Sequence, residues 1–164
     1  MPPASGRLVC VIFLAVTVSI TRLHDLPPDA LADVLAESER TGHRFLSRLV
    51  EEWESGTNRF ARHGEVLFAA VADGRVVGVC GLNADPYLPE PGVGRVRHLY
   101  VAAEYRRRGV GRQLVGAVVA AARDAFGVLR LRTESASAAR FYEALGFQRC
   151  AGVPACTHTL KTAG

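Results

Sequence analysis

The stretch from Leu99 to Arg112 constrains this chain most. Leu99-Tyr100-Val101 reads as the end of an apolar strand, and a short polar crossover follows. Arg106-Arg107-Arg108-Gly109-Val110-Gly111-Arg112 then forms a glycine-bearing turn. Beyond it Val110, Leu114, Val118 and Ala121 or Ala122 recur at helical spacing, so the turn opens a helix. The first N–H groups of a helix lack internal partners, and the macrodipole places partial positive charge there, so such a turn suits a phosphate or pyrophosphate. Gly109 and Gly111 leave the backbone approachable, and Arg107, Arg108 and Arg112 add charge.

Two familiar phosphate loops do not fit. A Walker loop needs Lys-Ser/Thr after its last glycine, where Arg112-Gln113 stands; a dinucleotide fingerprint needs a third small residue, where Leu114 stands. What fits is Arg106-x-x-Gly109-x-Gly111. Thirty-one residues later comes Tyr142, inside Phe141-Tyr142-Glu143-Ala144-Leu145-Gly146-Phe147, a short helix with Gly146 placed for a left-handed C-cap. Between them Val128 to Thr133 alternates with period two, as a strand does. The two motifs and their order resemble the GNAT acyltransferase superfamily, over about residues 17 to 160.

Length and composition agree with one enzyme-sized core: 164 residues, 49% of them hydrophobic. Of the 20 basic residues 19 are arginine and only Lys161 is lysine, yet the net charge is +4 with acids interspersed. That argues against a nucleic-acid surface. Cys10, Cys80, Cys150 and Cys156 form no CxxC pair, so they read as buried thiols in a reducing cytoplasm rather than as disulfides or a metal site. The apolar run Leu8 to Ile20 is too short to span a bilayer. With only Arg7 before it and no small-x-small site after it, we read 1–16 as a nonstandard N-terminal extension rather than a signal peptide, followed by one domain over 17–164.

Along that domain, Val18 to Leu23 reads as a first strand. A helix opening at Pro27-Pro28-Asp29 carries Leu31, Val34 and Leu35, and a second buries Phe45, Leu46, Leu49, Val50 and Trp53 on one face. Val66 to Val71 and Val76 to Leu82 form a hairpin at Asp73-Gly74. Asn83 to Gly94 is a proline-rich loop, Arg95 to Val101 a strand, and Phe147 to Val153 with Thr157 to Lys161 a closing strand pair.

The resemblance implies an α/β (α+β) fold: a mixed sheet of about six or seven strands with a splayed fourth strand and about four helices. It implies acetyl-CoA as co-substrate, held by Leu99, Tyr100, Val101, Arg106, Arg107, Arg108, Gly109, Val110, Gly111 and Arg112. By motif position Tyr142 is the acid that protonates the departing thiolate. Ser135 stands where the family often has a cofactor-contacting asparagine, and would also serve as a helix cap. Some relatives carry Glu or His on the strand before the bulge, where this chain has Arg95 and Arg97, neither of which is a base. Glu134, Asp85, Glu54 and His98 remain as base candidates, Glu134 being placed in the catalytic set.

The acceptor is expected to be a small-molecule amine. Arg95 and Arg97, two apart on one strand, share a face, and guanidinium forks suit carboxylate or phosphate. An acceptor bearing an acidic group is therefore the favoured reading, with Asn83, Asp85, Tyr87 and Trp53 completing the pocket. Alternatively the two arginines pair with Glu65, Asp85 or Glu90 and bind nothing. Two other classes stay open: a protein or peptide N-acetyltransferase with an open groove, and an idle acyl-CoA sensor, for which loss of the tyrosine would be the mark. No membrane or nucleic-acid partner is expected, and a homodimer is left open.

Overall fold

A computed structural model describes residues 16–162; the expected extension and Cys10 fall almost wholly or wholly outside them. Seven strands form one sheet: β1 (Ser19–Arg22), β2 (Val66–Ala72), β3 (Arg75–Ala84), β4 (Val93–Val101), β5 (Val128–Leu131), β6 (Gln148–Arg149) and β7 (His158–Lys161). Their spatial order is β1-β2-β3-β4-β5-β7-β6. Four α-helices accompany them: α1 (Ala32–Arg40), α2 (Phe45–Ser55), α3 (Val110–Ala122) and α4 (Ala136–Ala144). The mixed architecture expected from sequence is therefore the one found.

Helices cover both faces of the sheet. Alternation along β3 turns Gly78 toward Leu114 of α3, while Gly81, on the other face, lies under Phe60, just beyond α2. On the α3 face Val110, Leu114, Val115, Val118 and Ala122 are buried; on the other, Val34 of α1 and Leu46, Leu49 and Trp53 of α2. Burying side chains such as Leu46 and Leu49 contributes about 1.5–3 kcal/mol each, which lets short helices with no side-chain cap at their N-termini persist.

Some boundaries differ from the sequence reading. α1 begins at Ala32 rather than at the prolines, because Pro27 to Ala32 forms turns in which Ala30 N–H donates to Pro27 O and Ala32 N–H to Asp29 O. β3 runs to Ala84, so Asn83 is a strand residue and the loop spans only 85–92. The closing pair shrinks to two residues in β6 and four in β7, because Gly152 and Ala155 both turn left-handed and break pairing between them.

What matters for function is the behaviour of β4. Its antiparallel pairing with β3 runs from Ala84↔Gly94 to Gly78↔Val101, with a register shift between Val79 and Gly81. There His98 adopts φ 59, so the extra residue of a bulge sits on β4. Its parallel pairing with β5 lasts only three steps, ending at Arg95↔Arg130. Beyond that β5 continues along β7 while β4 diverges. The expected splay of the fourth strand is present.

Candidate active site

From Val96 to Val101 one edge of β4 has no strand partner among the described residues, so its N–H and C=O groups are available to an extended ligand. The strand leads into a 3-10 turn, Ala103–Tyr105, and then to Gly109 at φ 80, the N-cap of α3. The first helical bond is from Gln113 N–H to Gly109 O, 3.0 Å. Among the described residues no backbone bond takes an N–H between Arg107 and Arg112, so the turn presents a row of open donors. A Cβ on Gly109 would meet nothing of this chain, whereas one on Gly111 would press on the Phe141 ring at 3.3 Å. Gly109 is thus small for its left-handed backbone and for whatever approaches it; Gly111, read from sequence as approachable backbone, is small for the contact between α3 and α4.

The arginines of the turn divide. Arg106 folds back, its Nε donating to Val101 O at 2.9 Å, and lies over the Tyr100 ring. Arg107, at φ 60, and Arg108 stay exposed, and no carboxylate of the described residues pairs with Arg107, Arg108 or Arg112. Glu37 of α1 staples the strand end, accepting from Tyr100 Oη at 2.9 Å and Ala103 N–H at 2.8 Å, and stands 3.9 Å from the Arg106 guanidinium.

Tyr142 lies on α4, near Cys80 of β3. Its ring lies edge-on to Phe141 and Phe147, and burial, with a smaller push from the neighbouring Cys80 thiol, drives its pKa well above the ordinary phenol value. The hydroxyl therefore stays protonated at neutral pH and is available as a donor. Cys80 on β3, opposite the bulge, is itself pushed up to about 12 by burial and is inert. Ser135 caps α4, its Oγ accepting from Ala138 N–H at 3.3 Å.

On the face covered by α1 and α2 the structure sorts the expected acceptor residues. Arg95 is 3% exposed and donates to both oxygens of Asp85, at 2.8 and 3.4 Å; Arg130 reaches the same carboxylate at 3.2 Å and Glu90 at 2.8 Å. Burial alone would raise the Asp85 pKa, but these guanidiniums and the Tyr87 N–H hold it below the usual carboxylate range. Arg95 and Asp85 are thus a closed buried pair, the alternative weighed from sequence, rather than pocket groups. Trp53 is a core residue, packed with Leu26, Leu31 and Val50. Helical phase turns it to the sheet while its neighbour Glu52 faces β4. Glu134 is 80% exposed and paired with Arg132 at 2.7 Å, and Glu54 is exposed; neither is placed to act as a base.

Arg97 differs. It donates to Asn83 Oδ1 at 3.3 Å and stands 3.6 Å from Glu52, which also accepts from Arg48 at 2.9 Å. One carboxylate serves two guanidiniums. Burial opposes ionisation of Glu52, but Arg48 and Arg97 hold its pKa down, so its single charge is shared by two cations, with Glu51 also near Arg48. The half-exposed Tyr87 ring covers Arg95 at 4.6 Å and Arg97 at 5.9 Å, and Asn83 is held beneath by a reciprocal amide pair with Asn58, 2.9 Å each way. Glu52 escaped the sequence reading, although its i,i+4 spacing from Arg48 was a usable signal.

His98, one of the four base candidates read from sequence, sits at the bulge. Its Nδ1 lies 3.0 Å from Phe45 O, an acceptor, which assigns the proton to Nδ1 and a lone pair to Nε2. Nε2 is buried without a partner among the described residues. Burial and the Arg97 charge lower its pKa to about 4, so the ring is neutral. Phe45 also lines an open groove of about 850 Å³ at the α1–α2 junction, with His43, Arg44, Ser47 and Arg48.

The profile of the Acetyltransferase (GNAT) family matches residues 29–147. Among solved structures, a proposed acetyltransferase from Exiguobacterium sp. 255-15 is 29% identical, with 88% of this chain and 93% of that one covered at a TM-score of 0.79. A GNAT-family protein from Desulfovibrio desulfuricans is 23% identical over 90% and 100% of the two chains, TM-score 0.68. The Escherichia coli GNAT family N-acetyltransferase YhbS, solved in complex with CoA, is 18% identical over 91% and 83%, TM-score 0.64.

Proposed function

The chain belongs to the acetyltransferase (GNAT) family, whose members use acetyl-CoA, and on that premise we propose that it transfers acetyl to the amine of a small molecule bearing an acidic group. Bound acetyl-CoA supplies the activated acetyl thioester. The open edge of β4 and the N–H row from Arg107 to Arg112 fit an extended arm ending in a pyrophosphate, with Arg107, Arg108 and Arg112 adding charge. A free N–H at the bulge supplies a donor where negative charge develops on the carbonyl oxygen. Tyr142, held protonated, donates its proton to the leaving sulfur and is reprotonated by the proton that the attacking amine releases. His98 offers its Nε2 lone pair to the amine N–H, orienting it rather than storing a proton, because a pKa of about 4 makes it a weak base.

The observation that carries the acceptor class is Glu52 shared between Arg48 and Arg97, which leaves positive charge under the Tyr87 ring. A carboxylate or phosphonate there gains a charge-assisted contact, whereas a polyamine meets repulsion. A panel of amino acids, amino-phosphonates, polyamines, aminoglycosides and peptides tests this. Best turnover with an acidic small amine supports the reading; best turnover with a polyamine, an aminoglycoside or a peptide removes it. In the same assay Tyr142→Phe should lower turnover by roughly 10²- to 10⁴-fold with acetyl-CoA affinity little changed, and near-normal turnover would return Tyr142 to a packing role.

A further inference from the structure

The last hairpin carries two thiols that the reading above does not use. Cys150 follows β6 and Cys156 precedes β7, and the five residues between them fold back on themselves because Gly152 (φ 79) and Ala155 (φ 54) both turn left-handed. Cys150 N–H donates to Thr157 O at 2.9 Å, which brings the flanks of the loop together, and the two Sγ atoms lie 2.9 Å apart. That is within about 1 Å of a covalent S–S length. The sequence suggested separate buried thiols. Cys80 is one, but Cys150 is half-buried and reachable, while Cys156 behind it is 9% exposed.

We infer that Cys150 and Cys156 form a reversible oxidation site: a hydroperoxide converts the pair into an intrachain disulfide that closes the loop 151–155. The exposed partner reacts first. The Cys150 thiolate attacks a peroxide oxygen, the O–O bond breaks, and a sulfenic acid forms as water or alcohol leaves. Cys156 sulfur then attacks the sulfenic sulfur, the S–S bond forms, the S–O bond breaks and a second water leaves. Two electrons and two protons pass from the thiols to the peroxide. Burial and the adjacent Cys150 push the Cys156 thiol up to about 11, so it stays inert until its neighbour is oxidised, while Arg95 and Arg130 ease its ionisation.

The pair lies beside α4. Cys156 Sγ donates to His158 O at 3.4 Å, and the His158 ring bonds Glu143 at 3.1 Å, next to Tyr142 on α4.

The test uses the full chain with Cys10→Ser, exposed to a small excess of hydrogen peroxide, alkylated, digested and mapped by mass. The expected product is a Cys150–Cys156 peptide pair within one chain, lighter by two hydrogens, reversed by dithiothreitol and raising Tm by roughly 5 °C. Cys150→Ser and Cys156→Ser, each with an unchanged circular dichroism spectrum, should give no such pair. Sulfinic acid at Cys150 with Cys156 still alkylatable, or links only between chains, would overturn the inference.

Discussion

Two arginine-rich regions of this protein reach opposite ends. Where the loop 85–92 folds over the sheet, Arg95 and Arg130 are buried against Asp85 and Glu90, two cations for two anions, and this pair of arginines is left with no free charge. At the start of α3, Arg107, Arg108 and Arg112 face solvent with no carboxylate partner among the described residues, beside backbone donors that are also unused there. Arginine count does not separate the two regions; compensation does. Arg97 lies between the extremes, sharing Glu52 with Arg48.

The sharpest way to break the comparison is to remove the anion of the closed cluster. Asp85→Ala strands Arg95 and weakens the hold on Arg130, and unfolding stability should fall by about 3–5 kcal/mol. A urea midpoint unchanged from wild type would show the buried pair to be dispensable. Acid should act in the same direction: with its folded pKa depressed, Asp85 contributes stability that is present above the unfolded carboxylate value of about 4 and is lost as pH falls through the folded one.

His98 sits between the regions and tests how dry the bulge is. Its pKa falls from 6.5 to about 4, so its contribution is complete above the unfolded value and drains away as pH drops toward the folded one. The total is on the order of 3 kcal/mol. His98→Asn should remove that part of the stability–pH curve, and an unaltered slope between these limits would mean that the ring is solvated.

Arg97→Ala should raise the KM for an acidic acceptor by roughly ten- to a hundredfold, as expected for a bond to a charged group, without changing acetyl-CoA affinity. Arg97→Lys should not restore it fully, since an ammonium lacks the planar fork. Arg108→Ala should do least: acetyl-CoA affinity down by roughly three- to tenfold, about 0.6–1.4 kcal/mol, with a shallower salt dependence and no change in Tm. If Arg108→Ala destabilised the fold as Asp85→Ala does, the contrast between the regions would collapse.

Periodicity made the elements legible. Leu114 and Val118, or the alternation around Asp73-Gly74, declare helix and hairpin without any knowledge of their neighbours. The turn from Arg106 to Arg112 was legible too, because its glycines and arginines are contiguous. The pairing of Arg95 with Asp85 was visible only as one option among several, since it depends on a loop folding over the strand. Helical phase placed Trp53 on the buried face of α2, as found; adding it to the acceptor pocket was the misstep, while the polar Glu52 beside it was overlooked. His98 was legible only as one base candidate among four, and its place at the bulge was not. A bulge is one extra residue in one strand relative to another, and no property of the single segment Arg97-His98-Leu99 announces it.

The position of β7 has a consequence of another kind. This strand follows β6 in the chain yet lies inside the sheet, between β5 and β6, and Thr162 N–H donates to Gly127 O just past its end. Until the segment His158–Lys161 emerges from the ribosome, β5 has a bare flank carrying Leu129 and Leu131, the kind of edge that recruits strands from other nascent copies. The order of the chain thus runs against the order of the sheet at this place, and any species in which β7 has not docked keeps that flank of β5 open to other copies.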